Sequence, residues 1–268
     1  MSDACLDCDA CANGDEQHCL KGKCVPTYNG KKRFNHLGGN PDSITYGGYA
    51  GSHCLHEHFV IKFPEGLPLQ AGGPLLCAGI TMYEPLKRWG AVAAGQAGKK
   101  MTIGIIGIGG LGTMGLKLAK AMGHTVVAIS TSPNKKDMAM AKGADAFVVS
   151  KDPESMAANA KTCDLILATL SAVHEVSFYM SLLRYNGTIV ELGLVTKPHT
   201  MSQIPLLLHN LAVAGSHIGG IANTQECIDF CAEHKIYPDL EEVTADKIDW
   251  VWEQLENNAD GKRYVIDI

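Results

Sequence analysis

Four cysteines near the start of the chain have a spacing that can bind a metal ion. They follow the pattern Cys5-x2-Cys8-x2-Cys11-x7-Cys19. Thiolates this close in sequence can surround one tetrahedral zinc ion, and such a site adds folding free energy directly. An iron–sulfur cluster is an alternative, but the x3-Cys-Pro continuation of the ferredoxin pattern is absent. Free surface thiols are the other alternative. The array favours structural zinc.

A glycine-rich segment in the middle of the chain has the pattern that binds dinucleotides. Gly107-x-Gly109-x-x-Gly112 follows an apolar, β-branched segment that begins at Thr102, and a helix is predicted from about Thr113 to Met122. Glycines at this spacing allow a tight turn, close approach of the backbone to a pyrophosphate, and close helix–strand packing. The first N–H groups of the helix have no intrahelical partner and can bind the phosphates.

The residues after the next predicted strand indicate which dinucleotide is bound. The strand Thr125–Ile129 is followed by Ser130-Thr131-Ser132, with Lys135 and Lys136 close behind. NAD sites usually have an Asp or Glu about 20 residues after the glycines to bind the ribose 2′-hydroxyl, and no acid stands there. Hydroxyl groups and lysines would instead bind a 2′-phosphate, which favours NADP(H). Alternatively, these residues form a helix N-cap with solvated lysines, and both interpretations can hold together.

Length and composition exclude several classes of protein. With 268 residues, 46% hydrophobic and 19% charged, the chain is a globular α/β protein of one or two domains and not a disordered one. A net charge of −5 provides no basic field, so we expect no nucleic-acid partner. No apolar run reaches the roughly 20 residues of a membrane span, and the N-terminal residues do not resemble a secretory signal. We therefore expect a cytoplasmic protein whose ten cysteines are thiols or metal ligands.

Strands and helices alternate after the glycine-rich turn, which predicts a doubly wound parallel sheet. Between the cysteines and this turn we expect short strands near Tyr49–Cys54 and His58–Ile61, and a helix that ends near Trp89. The strands predicted after the turn are 125–130, 146–149, 164–168, 187–192, 211–218 and 264–267. The predicted helices are 134–142, 153–160, 173–184, 224–234 and 245–255.

Taken together, these motifs resemble the zinc-dependent medium-chain alcohol dehydrogenases, and among them the cinnamyl-alcohol-dehydrogenase branch with its NADP-dependent aldehyde reductases. The resemblance implies a Rossmann fold with an incomplete β-rich, GroES-like catalytic lobe that carries the four-cysteine zinc loop. Besides the cysteine and glycine motifs and residues 130–132, the segments that carry it are 74–81 (PLLCAGIT), 219–221 (GGI) and 263–267 (RYVID).

The resemblance also implies roles for individual residues. The pyrophosphate would contact Gly107, Ile108, Gly109, Gly110, Leu111 and Gly112, and the 2′-phosphate would contact Ser130, Thr131, Ser132 and Lys135. The nicotinamide, its ribose and its carboxamide would contact Thr81, Thr169, Gly193, Ser216, His217 and Ile218. Cys77 matches one protein ligand of a catalytic zinc, and the implied reaction is reversible hydride transfer between NADPH and an aldehyde.

The chain departs from the family in the catalytic zinc site. The family has an earlier Cys ligand and a Gly-His-Glu motif, and nothing before Cys5 matches them, so of the usual Cys, His, Cys set only Cys77 is present. One thiolate cannot hold a catalytic zinc tightly, because such zinc normally has three protein ligands. His36, His53 and His217 lie near motif positions, but the sequence gives no geometry for them. We expect a chain that is truncated relative to the family.

Two functional hypotheses follow. The first is an NADP-dependent, zinc-requiring alcohol dehydrogenase or aldehyde reductase that acts on a small aldehyde or alcohol. The second is a non-catalytic NADP(H)-binding fragment that keeps only the structural zinc. We expect a lobe over residues 1–72, an NADP-binding domain over 73–222, and helices and a strand over 223–268 that return to the lobe. The resemblance also implies a homodimer that forms by edge pairing in the nucleotide-binding domain. The apolar segment near Leu206–Ile218 is compatible with this pairing, and burial in the core explains it equally well.

Overall fold

The computed structural model describes residues 1–31, 44–53, 55–257 and 261–266. The strands are β1 (Tyr28–Lys31), β2 (Ile44–Tyr46), β3 (Thr102–Ile106), β4 (Thr125–Ser130), β5 (Ala146–Val149), β6 (Cys163–Ala168), β7 (Leu183–Glu191), β8 (Ala212–Gly215), β9 (Leu240–Val243) and β10 (Arg263–Ile266). The α-helices are α1 (Asp9–Ala12), α2 (Gly72–Pro74), α3 (Ile80–Arg88), α4 (Ala91–Gln96), α5 (Gly110–Ala121), α6 (Lys136–Ala141), α7 (Pro153–Ala158), α8 (Val176–Met180), α9 (Ile204–His209), α10 (Ile221–His234) and α11 (Ile248–Asn257).

The central element is a six-stranded parallel sheet with the order β5-β4-β3-β6-β7-β8. β3 pairs with β4 on one side and with β6 on the other, so the strand order reverses next to β3. In open α/β sheets, ligands bind outside the carboxyl ends of the strands at such a reversal. The predicted doubly wound sheet is confirmed, and it places the glycine-rich turn at the expected binding edge.

The sheet is buried on both faces, which explains why its strands are almost continuously apolar. Ile105 and Leu167 belong to the larger core, which includes residues of α3 and α5. Ile129 and Ile166 face the other core, which includes residues of α7 and α8. Because successive side chains of a strand point to opposite faces, a one-residue change of register would exchange these two sets.

The first part of the chain contains less regular structure than the sequence predicts. β1 and β2 form an antiparallel pair, but the described part of 49–54 contains no strand, and 58–61 contains the end of a 3₁₀ turn over Glu57–Phe59. Phe59 is buried, whereas Tyr49 and Val60 are exposed. The strands were predicted from apolar residues, but most of these residues do not pack into a core. Cys54 lies outside the described residues.

Several predicted boundaries are corrected. Helix α5 begins at Gly110 and not at Thr113, because Gly110 already has helical geometry after the turn. The helix predicted over 173–184 is reduced to α8, since β7 begins at Leu183 and pairs there with Cys163. The final strand β10 pairs in parallel with β9, and Asp267 lies outside the described residues.

Helix α10 connects the last part of the chain to α3 through charged groups. Glu84 is buried and accepts hydrogen bonds from Arg88 at 2.8 Å and Asn223 at 2.7 Å. Glu226 accepts a hydrogen bond from Tyr83 at 2.7 Å and pairs with Lys87. Burial and this contact raise the pKa of Tyr83. No helix within the described ranges is long and apolar enough to cross a membrane.

We expect Ile105→Ala to lower the free energy of unfolding by about 2–5 kcal/mol, because a fully buried side chain at the centre of the sheet would leave a cavity. Leu194→Ala is the control, since the Leu194 side chain is exposed and its removal should change stability by less than about 0.5 kcal/mol. Urea denaturation followed by circular dichroism measures both. Equal losses would contradict the position of Ile105 in the core.

Candidate functional site

The four N-terminal cysteines form a cluster that fits a tetrahedral metal ion. One Sγ atom from each of Cys5, Cys8, Cys11 and Cys19 lies within 4.8 Å of the others. The Sγ atoms of Cys5 and Cys11 are 3.7 Å apart, close to the separation of about 3.8 Å that two thiolates have when each is about 2.3 Å from one tetrahedral zinc. The donor set and its spacing therefore fit a closed zinc site.

Backbone N–H groups around the cluster favour the thiolate form. Leu20 donates its N–H to Cys8 Sγ at 3.4 Å, and Asp7 donates to Cys5 Sγ at 3.5 Å. The backbone N–H of Cys11 is the main cause that lowers the pKa of Cys8 to about 6. Burial raises the pKa of the Cys11 thiol. Zinc binding would displace the thiol protons, because the thiolate is the ligand.

A buried carboxylate attaches the zinc loop to the rest of the fold. Glu16 is 2% exposed; its Oε1 lies 2.7 Å from His58 Nε2, and its Oε2 accepts a hydrogen bond from the Ile221 N–H at 3.0 Å. Ile221 is the first residue of α10, where a negative charge is stabilised by the helix dipole. The preceding Gly220 has no room for a side chain, since a Cβ there would lie 1.7 Å from the Gly14 carbonyl.

The glycine-rich turn has the shape that the sequence predicts. Gly107 has a φ of +88°, which is strained for residues with a side chain. A Cβ on Gly112 would lie 1.9 Å from the Gly107 carbonyl oxygen, so only glycine lets α5 approach β3 this closely. Thr169 Oγ1 lies 2.9 Å from the carbonyl oxygens of both Ile106 and Gly107 and donates to them. Thr169 therefore fixes the turn to the end of β6.

A cleft of about 380 Å³ lies above this turn, at the carboxyl ends of β3, β4 and β6. It brings together ten of the predicted cofactor residues: Gly107, Ile108, Gly109, Gly110, Leu111, Ser130, Thr131, Ser132, Lys135 and Thr169. Gly112 does not line the cleft. It packs against the Gly107 carbonyl and so allows α5 to lie close to the turn. Sequence reasoning missed Leu170, Ser171, Tyr179 and Arg263, which also line it.

Two basic side chains lie at the cleft. Lys135 Nζ donates to the carbonyl oxygen of Ile108 at 3.1 Å, so the ammonium group reaches across from the β4 side to the turn. The Arg263 guanidinium covers the start of α5: a Cβ on Gly110 would lie 2.7 Å from its Cζ and Nε. Nε of Arg263 is buried and has no hydrogen-bond partner among the residues that the structure describes. An anion at the turn would provide one.

A second cavity of about 460 Å³ contains Cys77. Cys77 is exposed and lies in a π-helical turn over Leu75–Gly79. Ile80, Ile218 and His53 line the same cavity. In the described ranges, Cys77 belongs to no group of three metal-ligating side chains, so these residues do not fit a catalytic zinc. His36 lies outside the described residues.

The other residues predicted to contact the nicotinamide part of the cofactor do not line the cleft, and of these only Ile218 lines the second cavity. Thr81 is half-buried in the first turn of α3, next to Ile80. Gly193 packs on the loop after β6, where a Cβ would lie 1.8 Å from the Leu170 carbonyl. Ser216 donates its N–H to the Glu191 carbonyl at 3.1 Å, after which His217 approaches His18 with ring centroids 6.4 Å apart. Burial is the main cause that lowers the pKa of His217.

Comparisons with known proteins assign the chain to a family. Residues 110–233 match the zinc-binding dehydrogenase family. A probable mannitol dehydrogenase of Medicago sativa is 42% identical over 99% of this chain and 70% of its own length. The NADP-dependent alcohol dehydrogenase C 1 of Mycolicibacterium smegmatis is 43% identical over 99% of this chain and 72% of its own. The chain belongs to the zinc-binding dehydrogenase family.

A solved structure supports the assignment. A cinnamyl alcohol dehydrogenase of Sorghum bicolor superposes with a TM-score of 0.89 and 37% identity, over 99% of this chain and 72% of that one. The relatives are alcohol dehydrogenases, so the predicted family and its oxidoreductase chemistry are confirmed. The chain spans 70–72% of the length of these three relatives.

We expect Cys11→Ser to lower the zinc content by one atom per chain and to lower the melting temperature, because three thiolates and a hydroxyl bind zinc weakly. Cys24→Ser is the matched control, since Cys24 is half-buried in the same loop region but outside the four-sulfur cluster. Elemental analysis of chelator-washed protein measures the zinc. Equal zinc in the parent and in Cys11→Ser would rule out metal binding by the cluster.

Proposed function

We propose that this chain binds NADP(H) in the cleft above the glycine-rich turn. The observation that carries the proposal is the chemistry at the end of β4: Ser130, Thr131 and Ser132 line the cleft with Lys135, and no acid follows the strand. A carboxylate there would bind a ribose 2′-hydroxyl and repel a 2′-phosphate, whereas hydroxyl groups and an ammonium group favour the phosphate.

The pyrophosphate would occupy the start of α5. Gly110 and Leu111, in the first turn of α5, line the cleft, and the first N–H groups of a helix are free to bind an anion. The Arg263 guanidinium covers the same turn from β10. From there the nicotinamide would extend towards Ile218 and the second cavity, with Thr169, Gly193, Ser216 and His217 along its path and Thr81 near its end. These roles are proposals that rest on the family resemblance and on the positions just described.

The reaction proposed for this fold is hydride transfer between NADPH and an aldehyde, with a proton added to the oxygen that becomes the alcohol. The described residues contribute the position of the cofactor and an apolar cavity for the substrate. Because no second or third ligand accompanies Cys77 among them, no step is assigned to a catalytic zinc here. A fragment that binds NADP(H) without turnover is the second candidate, and this incomplete ligand set favours it. Turnover of NADPH with an aromatic aldehyde distinguishes the two.

Three further properties are part of the proposal. The domain bounds are 1–72, 73–222 and 223–268. A homodimer is supported by β8 at the edge of the sheet and by the exposed Leu207 and Leu208 nearby. A reducing, cytoplasmic location is supported by the free thiol state of the described cysteines.

We expect Lys135→Ala to weaken NADPH binding by roughly 10- to 150-fold, the loss of one hydrogen bond to a charged group, and to leave NADH binding nearly unchanged. Lys136→Ala is the matched control, because Lys136 is exposed and does not line the cleft. Fluorescence titration with each cofactor provides the dissociation constants. A similar loss for both cofactors would show that Lys135 does not recognise the 2′-phosphate.

Arg263→Met should weaken NADPH and NADH equally, since the guanidinium is placed at the pyrophosphate that both cofactors share. Methionine keeps much of the apolar contact of the arginine stem. Isothermal titration with both cofactors tests this. If only NADPH binding is weakened, Arg263 contacts the 2′-phosphate and not the pyrophosphate. If neither cofactor binds more weakly, Arg263 does not contact the cofactor.

A further inference from the structure

Three side chains outside the cofactor cleft come together at the carboxyl edge of the sheet. One imidazole nitrogen from each of His174 and His199 and a carboxylate oxygen of Glu191 lie within 4.8 Å of one another. His174 lies in the loop after β6, Glu191 is the last residue of β7, and His199 lies in the segment between β7 and α9. Sequence analysis selected none of them, because 25 residues separate the two histidines.

Hydrogen bonds fix the orientation of both imidazole rings. His174 Nδ1 lies 2.9 Å from the Ala172 carbonyl oxygen, and His199 Nδ1 lies 2.9 Å from the His174 carbonyl oxygen. Because a carbonyl can only accept, His174 Nδ1 carries the proton that it donates to Ala172. His199 Nδ1 also lies 3.5 Å from the backbone N–H of His174, so it either donates to the His174 carbonyl or accepts from that N–H. A neutral His174 ring then has its lone pair on Nε2. A backbone carbonyl that holds the other ring nitrogen is the usual arrangement of histidines that bind metals.

The carboxylate of Glu191 faces the His174 ring. His174 Nε2 lies 3.4 Å from Oε1 and 3.4 Å from Oε2, which is longer than an ordinary N–H···O hydrogen bond. This distance between nitrogen and oxygen equals the separation of about 3.4 Å that two ligand atoms have when each lies 2.0–2.1 Å from a tetrahedral zinc ion. Oε2 is buried and accepts no hydrogen bond in the part of the chain that the structure describes.

We propose that His174, Glu191 and His199 form a binding site for a divalent transition metal ion of the zinc type. Two imidazoles and one carboxylate are a ligand set that zinc uses with one position left open, and imidazole is preferred by the transition metals over magnesium or calcium. The contact between His174 Nε2 and the Glu191 carboxylate is favourable when a proton on Nε2 or a metal cation lies between the two groups. The site is separate from the four-cysteine cluster and from Cys77.

A metal ion here would connect the loop after β6, which lines the cofactor cleft, to the end of β7 and to the segment before α9. Ser171 and Leu170 line that cleft, and His174 follows them in the same loop. Glu191 also accepts the Ser216 N–H on its backbone carbonyl, and Leu192 donates to the Ala168 carbonyl at 2.9 Å. Occupancy therefore fixes the loop after β6 against the end of β7, which backbone hydrogen bonds already join to the end of β8. We expect it to stabilise that wall of the cleft without supplying a group to the cofactor.

Zinc titration of the full chain tests the site. After a chelator wash that leaves zinc in the cysteine cluster, isothermal titration with ZnCl₂ should show one additional site per chain. Glu191→Gln and His199→Ala should each weaken that site by at least roughly 100-fold, more than the loss of an outer-shell partner costs. His209→Ala, in the same part of the chain, should leave it unchanged, and so should Cys77→Ser.

The outcomes separate this site from the other proposals. The inference is wrong if Glu191→Gln binds zinc like the parent, or if Cys77→Ser and not His199→Ala removes the additional zinc. It is also wrong if no additional zinc binds, in which case NMR titration should show His174 as a protonated partner of Glu191. If His199→Ala does not fold, the zinc affinity of the isosteric variant Glu191→Gln tests the site. NADPH binding by the metal-free parent is measured in parallel, so failure of the cofactor proposal is seen independently.

Discussion

The close approach of helix α5 to strand β3 is the contact on which the rest of the structure depends. Gly112 lies so near the Gly107 carbonyl that a single added carbon would overlap it. This contact aims the first N–H groups of α5 into the cleft and leaves room for a phosphate above the turn. It also sets the height of α5 over the sheet, and so the packing of Met114 and Leu116 in the larger core. One steric constraint thus links stability to cofactor binding.

The parallel sheet gathers the chemically useful residues at one edge. Parallel strands all end on the same side, so the loops after β3, β4, β6 and β7 meet there although they are far apart in sequence. The hydroxyl groups after β4, Thr169 after β6 and Glu191 at the end of β7 all occupy this edge. The candidate cofactor cleft and the His174–Glu191–His199 cluster are neighbours for the same reason.

Local patterns predicted the parts of the fold that local physics determines. The strand bounds 125–130 and 146–149 are confirmed, because buried parallel strands are short apolar runs between turn residues. The strands expected at 49–54 and 58–61 are wrong for the described residues of these segments, where Tyr49 and Val60 are exposed and no strand pairs with them. Arg263 was missed as a cleft residue because about 150 residues separate it from the turn that it covers. The hydrophobic pattern of a sequence does not predict such a distant contact. Arg263 reaches the turn because β10 pairs with β9.

Cofactor binding and catalysis depend on different parts of this molecule, and only the first is complete among the described residues. The cleft needs one turn, the end of β4 and two basic groups, all of which the sheet and its crossovers position. A catalytic zinc at Cys77 needs ligands from elsewhere in the chain, and a single exposed thiolate offers neither the charge nor the geometry to hold the ion. The cysteine cluster cannot substitute for it, because four thiolates close the coordination sphere and leave no position for a substrate. The total zinc content of the protein therefore says little about its activity until each ion is traced to its ligands.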